Sequence, residues 1–201
     1  MGRRGGQGLN EYYDAKDYWT RRGLVYVSRK QEIPHEMLRQ LKTGGLVELA
    51  PLTSLCEVGC AYGEALGLIR ETFPDIRRLV GVDLSPTMLE EASRRLFGAN
   101  VELVETDGDS LPFQDGAFDI VYTYAMFMHV PPTKVVGWMR EVLRVGKIGV
   151  FHESTSPSSG TYCFFHNYQA LFNELGYIFT DVLFNAATQS HRFVARRRIA
   201  S

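Results

Sequence analysis

The sequence predicts an α/β fold built on a parallel sheet, and three observations support this prediction. From Ser54 onward, short apolar segments alternate with helix-like segments, which is the pattern of βαβ units. The first apolar segment runs into a glycine-rich turn at 59–63, and the second and third end near Asp83 and Asp107. Ligands of open α/β sheets bind beyond the carboxyl ends of the strands, so we expect the functional site at these positions.

Composition and charge place the chain among ordinary globular proteins. Its 201 residues include 22 lysines and arginines against 23 aspartates and glutamates, and 45% of the residues are hydrophobic. These values exclude a disordered polyampholyte and an overall basic wrapper of nucleic acid. Apolar runs are only a few residues long, whereas a membrane span needs about 20, so no membrane contact is expected. Three cysteines and a basic, glycine-rich start fit a cytoplasmic protein with reduced thiols.

The chain is expected to divide into a tail, a cover and one domain. Residues 1–10 hold four glycines and two arginines, which cannot bury a face, so a flexible tail is predicted. Residues 11–50 predict an N-terminal helical cover. Within it, residues 34–42 have the apolar spacing of a helix, which two glycines then stop. Residues 51–201 are the predicted main domain.

Seven segments of that domain have the character of strands. Most are short apolar runs, the third alternates between apolar and polar residues, and a polar loop joins the last two. The predicted strands are 55–58, 78–82, 101–105, 118–124, 148–151, 179–184 and 192–196.

Four helices are predicted between the strands from apolar spacing and end signals. Pro74 ends the first helix, and Gly176 ends the last. Ser85 is a natural N-cap for the second helix, and Pro86 suits its first helical position. The predicted helices are 64–73, 86–96, 132–144 and 169–175.

The glycine turn raises a nicotinamide dinucleotide site as one interpretation. A glycine turn followed by an acid about twenty residues later is the fingerprint of such a site. Placed on Gly59 and Ala61, that pattern puts Glu64 where its third glycine belongs, and a carboxylate there would repel a pyrophosphate. The turn instead matches E-x-G-x-x-x-G from Glu57 to Gly63, which favours a nucleoside ligand without a phosphate.

Four motifs, in this order, resemble one known family. They are Glu57-Val-Gly-Cys-Ala-Tyr-Gly63, Gly81-Val-Asp-Leu-Ser-Pro-Thr-Met88, Thr106-Asp-Gly-Asp-Ser-Leu-Pro-Phe113 and Phe118-Asp-Ile-Val121. Through them, residues 54–153 resemble class I S-adenosylmethionine-dependent methyltransferases of the type 11, small-molecule group. The resemblance implies a Rossmann-like, seven-stranded, mostly parallel sheet whose last strand is antiparallel. It also implies helices on both faces of that sheet and an N-terminal helical extension.

The resemblance further implies a set of residues that bind S-adenosylmethionine. The turn after the first strand would wrap the methionine part, and Leu84 and Met88 would line the adenine pocket. Asp83 would accept hydrogen bonds from the ribose hydroxyls, and Asp107 from the adenine amino group. Ala61 stands where the family often has glycine, which narrows the turn without closing it. The full set is Glu57, Gly59, Cys60, Ala61, Gly63, Asp83, Leu84, Met88, Asp107, Gly108 and Tyr124.

His129, just beyond the fourth strand, is the candidate catalytic base, because an oxygen acceptor or a protonated amine must lose a proton. A scaffold role before the following helix is the alternative for the same residue. Four further side chains are expected to contact substrate: His152, Glu153, Tyr162 and His166. Their spacing matches no metal motif, so no metal is expected. The resemblance also implies that a residue of the N-terminal cover binds the methionine carboxylate, and an arginine such as Arg21, Arg22 or Arg29 would suit it.

These observations and the family resemblance predict transfer of a methyl group from S-adenosylmethionine to an oxygen or nitrogen of a small-molecule acceptor. The resemblance implies a sugar or natural-product intermediate as one such acceptor. Two alternatives stay open: a non-catalytic subunit of the same fold that binds a partner, and a methyltransferase acting on nucleic acid or an RNA end. Intact cofactor motifs weigh against the first. The segment after the fourth strand lacks the acid and the aromatic residue of base-modifying amino-methyltransferases, which weighs against the second.

Overall fold

The computed structural model of the protein describes residues 14–26, 52–154, 162–185 and 190–197. Seven strands lie in one sheet within these residues. Their bounds are β1 (Ser54–Val58), β2 (Arg78–Asp83), β3 (Glu102–Glu105), β4 (Phe118–Tyr124), β5 (Gly146–Ser154), β6 (Tyr177–Asn185) and β7 (Ser190–Arg197).

The strands follow the order β3-β2-β1-β4-β5-β7-β6 across the sheet. β1 pairs in parallel with β2 and β4, β2 with β3, and β4 with β5. β7 runs antiparallel to both of its neighbours, β5 and β6. The prediction of a seven-stranded, mostly parallel sheet with an antiparallel last strand is therefore confirmed.

Helices accompany the strands in the described part of the chain. They are α1 (Ala15–Tyr26), α2 (Glu64–Thr72), α3 (Pro86–Arg95), α4 (Val135–Val145) and α5 (Tyr168–Glu174), with one 3-10 helix (Phe127–His129). The predicted cap of α3 is confirmed, because the Ser85 hydroxyl accepts a hydrogen bond from the Met88 N–H at 3.3 Å and Pro86 lies in the first turn. The 3-10 helix was not predicted.

The end of β5 differs from the prediction in a way that matters for the site. β5 extends to Ser154 because β7 pairs beside it from Ile148 onward. His152 and Glu153 therefore lie inside a strand rather than beyond its end. The tail at 1–10, the predicted helix at 34–42 and most of the predicted cover fall outside the described residues, and α1 is the described part of that cover.

Helices pack on both faces of the sheet, as predicted. On one face, α4 and α5 contribute Met139, Leu143 and Phe172 to a core that includes Val121 and Phe151. On the other, Leu66 and Ile69 of α2 pack with Leu55, Leu79 and Ile120, and Leu89 of α3 adds to the edge of that core. The carboxyl ends of the central strands emerge between these two layers.

The ends of β1 and β2 are joined by backbone hydrogen bonds. The Val82 carbonyl accepts from the N–H groups of Gly59 and Cys60, at 2.8 and 3.0 Å. Glu57 and Val58 pair with Gly81 and Val82 in the parallel ladder. The turn after β1 is therefore fixed beside the end of β2, where the sequence predicts the site.

Candidate active site

A cavity opens at the carboxyl ends of β1, β2 and β4. It is bordered by the turn after β1, the start of α3, the segment after β4 and one side of α1. Eight of the predicted cofactor residues line it: Glu57, Gly59, Cys60, Ala61, Asp83, Leu84, Met88 and Tyr124. The other lining residues are Ala15, Trp19, Tyr62, Glu64, Ala65, Ala125, Met126, His129, Val130 and Trp138.

A second cavity lies beside the first, since Ala15, Leu84, His129 and Trp138 line both. Its remaining lining is mostly charged and comes from α1 and from the segments that follow β3 and β4. These residues are Asp14, Lys16, Asp107, Asp109, Pro131 and Lys134. Of the three predicted cofactor residues absent from the first cavity, Asp107 thus lines the second, whereas Gly63 and Gly108 line neither.

The turn after β1 has a left-handed backbone at alternate positions. The φ angles are +80° at Gly59, +47° at Ala61 and +79° at Gly63. At Gly59 glycine is needed for space as well, because a Cβ atom there would lie 2.6 Å from Cγ of Met126. Ala61 adopts this conformation with a side chain, so the turn forms in spite of the departure from glycine that the sequence shows.

Asp83 ties three segments together through its carboxylate. Oδ2 accepts a hydrogen bond from the Ala61 N–H at 2.9 Å, and Oδ1 accepts one from the Ser85 N–H at 2.9 Å. Burial raises the pKa of Asp83, while hydrogen bonds from the backbone of Ser85, Ala61 and Leu84 act in the opposite direction. A carboxylate oxygen accepts more than one hydrogen bond, so both oxygens keep capacity for a ligand in the cavity.

Glu57 brings a buried carboxyl group to the cavity. The residue is 3% exposed, and its Oε2 has no hydrogen-bond partner among the described residues. Burial, and secondarily the charge of Asp83, raises the pKa of Glu57 well above its usual value. An oxygen in this state is poised to pair with a donor or a cation that enters the cavity.

The segment after β3 packs against Trp138 of α4. Gly108 has a φ of +82°, and a Cβ atom there would lie 3.0 Å from the six-membered ring of Trp138. Asp109 accepts hydrogen bonds from Trp138 Nε1 and from Lys134 Nζ. Burial of Asp109 would raise its pKa, but these two hydrogen bonds outweigh it and lower the pKa.

Helix α1, the described part of the predicted cover, lies beside the cavity. It packs on α3, and Lys16 forms an ion pair with Glu105 at the end of β3, at 2.6 Å. Trp19 packs edge-on against the His129 ring, with centroids 4.7 Å apart. Arg21 pairs with Asp17 within the helix, and neither it nor Arg22 lines a cavity described above. Binding of the methionine carboxylate by an arginine stays a prediction.

His129, the candidate base, ends the 3-10 helix and lines both cavities. Its Nδ1 lies 3.0 Å from the Tyr162 carbonyl oxygen and 3.8 Å from Cys163 Sγ. Burial lowers the pKa of His129, the hydrogen bond to Tyr162 raises it, and the charge of Arg22 lowers it. The net shift is downward, so the ring is neutral near pH 7, as a base must be.

The four residues expected to contact substrate do not line either cavity. Glu153 is fully buried, and its oxygens accept from the Thr123 hydroxyl and from the N–H groups of Met126 and Phe127. His166 is buried with Nε2 3.0 Å from the carbonyls of Phe127 and Val130. Both therefore hold the segment that carries His129.

The other two differ in their surroundings. His152 is 7% exposed and packs edge-on with Tyr124, at 4.8 Å between ring centroids. Tyr162 is half-buried and packs edge-on with Tyr18 of α1, at 5.0 Å. Substrate contact by any of the four stays a prediction.

Several lining residues were not predicted from the sequence. Met126 and Trp138 have the apolar character of ordinary core residues, and nothing in their spacing separates them from core positions. Asp109 lies in the motif from Thr106 to Phe113, but only the fold brings it to Trp138. Across the described segments, no three His, Cys, Asp or Glu side chains are grouped as a metal site requires. No helix in the same segments is long and apolar enough to span a membrane.

A family model for a methyltransferase domain matches residues 55–149. The matched region contains the turn after β1, the ends of β2 and β4, and therefore most of the cavity lining. Residues 55–149 thus match a methyltransferase domain, and the relatives and the solved structure described next support the class I, S-adenosylmethionine-dependent kind. The family resemblance and the cofactor expected from the sequence are thereby confirmed.

Curated relatives of the methyltransferase domain include enzymes with named activities. The 2-methyl-6-phytyl-1,4-hydroquinone methyltransferase of Synechocystis is 25% identical over 168 residues, which are 73% of this chain and 51% of that protein. The demethylmenaquinone methyltransferase of Thermus thermophilus is 32% identical over 119 residues, or 58% of this chain and 53% of that protein. The chain thus spans about half the length of these relatives.

A solved structure shares the fold of the methyltransferase domain over nearly its full length. The magnesium protoporphyrin IX methyltransferase of Synechocystis superposes with a TM-score of 0.67 at 13% identity. The superposition covers 91% of this chain and 95% of that one. At this identity the likeness establishes the fold and leaves the substrate open.

Proposed function

We propose that the protein transfers the methyl group of S-adenosylmethionine to an oxygen or nitrogen of a small-molecule acceptor. The relatives described above are named for a hydroquinone and a demethylmenaquinone, and both compounds are small molecules. A sugar or natural-product intermediate as the acceptor, and a cytoplasmic location, are part of the same proposal. They rest on the sequence resemblance and on the cysteine content respectively.

The observation that carries the proposal is the unpaired Glu57 oxygen at the cavity wall. Leaving a buried polar atom without a partner is unfavourable, so this position favours a ligand that brings a donor or a positive charge. The methionine end of S-adenosylmethionine brings an ammonium group. The lining of the first cavity also contains Glu64 and Asp83 and, within the described residues, no lysine or arginine. A cationic ligand fits this charge distribution.

The remaining cofactor residues would bind the nucleoside part. Asp83 offers two oxygens, already oriented by backbone N–H groups, to the ribose hydroxyls. Leu84, Met88 and Trp138 give an apolar wall for the adenine, and Asp107 beside them would accept from its amino group. Gly108 leaves room for the Trp138 ring in that wall, because a side chain at position 108 would collide with the ring. Tyr124, at the end of β4, lies where the methionine and nucleoside parts would meet.

His129 is the residue we assign to proton removal. When bound, S-adenosylmethionine supplies an electrophilic methyl group, and alignment of the acceptor with that group is the main contribution expected from the protein. A neutral imidazole at the cavity accepts the proton that the acceptor loses. Trp19 packs against the same ring and limits its movement.

Calorimetric titration of the full chain with S-adenosylmethionine and S-adenosylhomocysteine tests the cofactor site. We expect dissociation constants on the order of micromolar for the wild type, and loss of measurable binding in Asp83→Ala. Asp75→Ala is the matched control, since Asp75 is an exposed aspartate outside both cavities. Transfer of isotopically labelled methyl to a panel of phenols, sugars and amines then tests the acceptor class. Absence of cofactor binding by the wild type would reject the proposal.

A further inference from the structure

The His129 ring has a hydrogen-bond partner whose role is fixed by its chemistry. Nδ1 lies 3.0 Å from the Tyr162 carbonyl oxygen. A carbonyl oxygen only accepts hydrogen bonds, so the proton of the neutral ring lies on Nδ1 and the lone pair on Nε2. In water the neutral histidine side chain favours the opposite tautomer. The surroundings of His129 therefore select the less common form.

Cys163 offers an alternative partner that the distances disfavour. Its Sγ is 3.8 Å from the same Nδ1. A thiol that donated to Nδ1 would require a lone pair on that nitrogen. This lone pair would then face the oxygen lone pairs of Tyr162 at 3.0 Å, which is repulsive. The closer and stronger acceptor decides the position of the proton.

The Tyr162 carbonyl is oriented by an unusual backbone. Tyr162 has a φ of +57°, a left-handed conformation that is unfavourable for a residue other than glycine. Such conformations persist where surrounding contacts hold them, and they concentrate at functional sites. The contacts that hold the Tyr162 backbone are made by residues 162–166, a segment that we call the strap. The strap runs alongside the 3-10 helix that ends in His129.

The strap is fastened to this helix at two further points. The Phe164 N–H donates to the Met128 carbonyl at 2.7 Å. His166 Nε2 lies 3.0 Å from the carbonyls of both Phe127 and Val130, so it must carry a proton and donate to them. The buried His166 thus bridges the two ends of the turn that carries His129.

Glu153 holds the same turn from the sheet side. Its two oxygens accept from the N–H groups of Met126 and Phe127 at 3.3 and 3.0 Å. The Thr123 hydroxyl donates to one of these oxygens at 2.8 Å, which keeps the carboxyl group in place. The turn is therefore fixed between β5 and the strap. A change in the strap should move the Tyr162 carbonyl relative to His129, while Glu153 keeps the turn itself in place.

We propose that the strap sets the tautomer of His129, with the Tyr162 carbonyl as its orienting partner and His166 as a positioning residue. In the proposed methyl transfer, the proton lost by the acceptor passes to Nε2 of His129, because Nδ1 already carries one. The inference rests on the proposed function only for that step. The tautomer itself is a property of the protein alone.

Histidine labelled with nitrogen-15 allows a direct test in the cofactor-free full chain. Two-bond proton–nitrogen correlation spectra distinguish the two tautomers of each ring, and His129→Gln and His166→Gln assign the signals. We expect His129 in the Nδ1–H form and His166 in the Nε2–H form at neutral pH. A wild-type His129 found in the Nε2–H form, or in the mixture seen in water, overturns the proposal. Failure of methyl transfer would not affect this measurement.

Variants of the strap test its role. His166→Met removes the donor, whereas His166→Gln retains an N–H₂ group that can reach a carbonyl. Phe164→Pro removes the N–H that bonds Met128, and Phe164→Leu is its control. We expect a tautomer mixture at His129 in the Met and Pro variants and the Nδ1–H form in the Gln and Leu variants. If His166→Met does not fold, Phe164→Pro decides. A folded His166→Met or Phe164→Pro variant that retains the pure Nδ1–H form overturns the positioning role.

Discussion

The Asp83 carboxylate accepts a hydrogen bond from the Ala61 N–H at 2.9 Å, and this contact fixes the turn after β1 against the end of β2. The second oxygen accepts from the Ser85 N–H at the start of α3. One side chain therefore positions the glycine turn, the end of a strand and a helix start. The same side chain is the one we assign to the ribose.

Asp83→Asn is expected to weaken binding of S-adenosylhomocysteine by about 10- to 100-fold, because hydrogen bonds to a charged group contribute roughly 1.5–3 kcal/mol. Asparagine has one oxygen, so its amide nitrogen must face either the Ala61 or the Ser85 N–H. Calorimetric titration measures the change, with Asp75→Asn as the exposed control. Equal affinity of the wild type and Asp83→Asn for S-adenosylhomocysteine would show that Asp83 does not bind this ligand.

Binding of a cation beside Glu57 should release a proton. The pKa of Glu57 is raised well above 4.5 by burial and by Asp83, so a fraction of the free protein carries a proton there above that pH. A nearby ammonium favours the carboxylate and lowers this pKa on binding. Affinity for S-adenosylhomocysteine should therefore increase with pH in the range between the usual and the raised pKa.

Titration at about pH 6 in two buffers of different ionisation enthalpy measures the released protons, because the observed heat then depends on the buffer. Glu57→Gln should abolish this buffer dependence and weaken binding. The exposed Glu174→Gln is the matched control and should behave as wild type. Buffer-independent heats in the wild type would contradict an ammonium at Glu57.

The ends of β1, β2 and β4 and the glycine turn were predictable because local signals determine them. Alternation and apolar runs mark the strands, and Ser85 with Pro86 marks a helix start that the structure reproduces. The motif from Glu57 to Gly63 needs left-handed backbone and close approach, which are local properties of glycine. Each of these signals lies within a few neighbouring residues, so it can be recognised without knowledge of the tertiary fold.

The positions of His152 and Glu153 depended on distant residues. β5 continues to Ser154 because β7, about forty residues later, pairs beside it, and no signal within 148–154 announces this partner. Glu153 then faces the N–H groups of the turn after β4 and not the cavity. The position of Trp138 likewise could not be predicted from nearby residues. Its place on an apolar helix face does not reveal that Gly108 leaves room for its ring.

Gly59→Ala is expected to destabilise the protein more than Gly98→Ala. Both glycines have φ near +80°, so alanine at either site should cost roughly 1–2 kcal/mol in backbone strain. At Gly98 nothing lies within 4 Å of the added Cβ, whereas at Gly59 Met126 Cγ lies at 2.6 Å. Urea unfolding gives the free energy of unfolding of each variant. The difference between the two losses of stability is the steric cost of the contact with Met126 at Gly59.

Addition of Met126→Ala should relieve much of the steric part at Gly59, because it removes the Cγ atom at 2.6 Å and leaves only the Cβ atom, at 3.0 Å from the added Cβ. The double variant is then more stable than the sum of its two single changes predicts, since the clash needs both side chains. Strictly additive free energies of unfolding would show that the Met126 side chain moves away at no cost.

Stability should fall as pH rises through the titration of Glu153. Burial raises its pKa to about 7, against hydrogen bonds from Thr123, Met126 and Phe127 that lower it. Between about pH 4.5 and 7 the folded protein holds a proton that the unfolded chain has lost. The free energy of unfolding therefore decreases with rising pH, by at most about 1.4 kcal/mol per pH unit.

Glu153→Gln cannot titrate and should flatten this decrease, with a lower stability at acidic pH because one acceptor oxygen is lost. Urea unfolding across this pH range measures both effects, and Glu174→Gln serves as the exposed control. A wild-type profile parallel to that of Glu153→Gln would place the pKa of Glu153 near its usual value.

The two tryptophans of the chain, Trp19 and Trp138, both line the first cavity and can report which end of a ligand lies where. Trp138 packs on Gly108, at the wall we assign to adenine, whereas Trp19 packs on His129. Trp19→Phe leaves Trp138 as the single reporter, and Trp138→Phe leaves Trp19. Adenosine lacks the methionine part, so it should change the fluorescence of Trp138 more strongly than that of Trp19. A larger response from Trp19 would place the adenine beside α1 and reverse the orientation proposed for the cofactor.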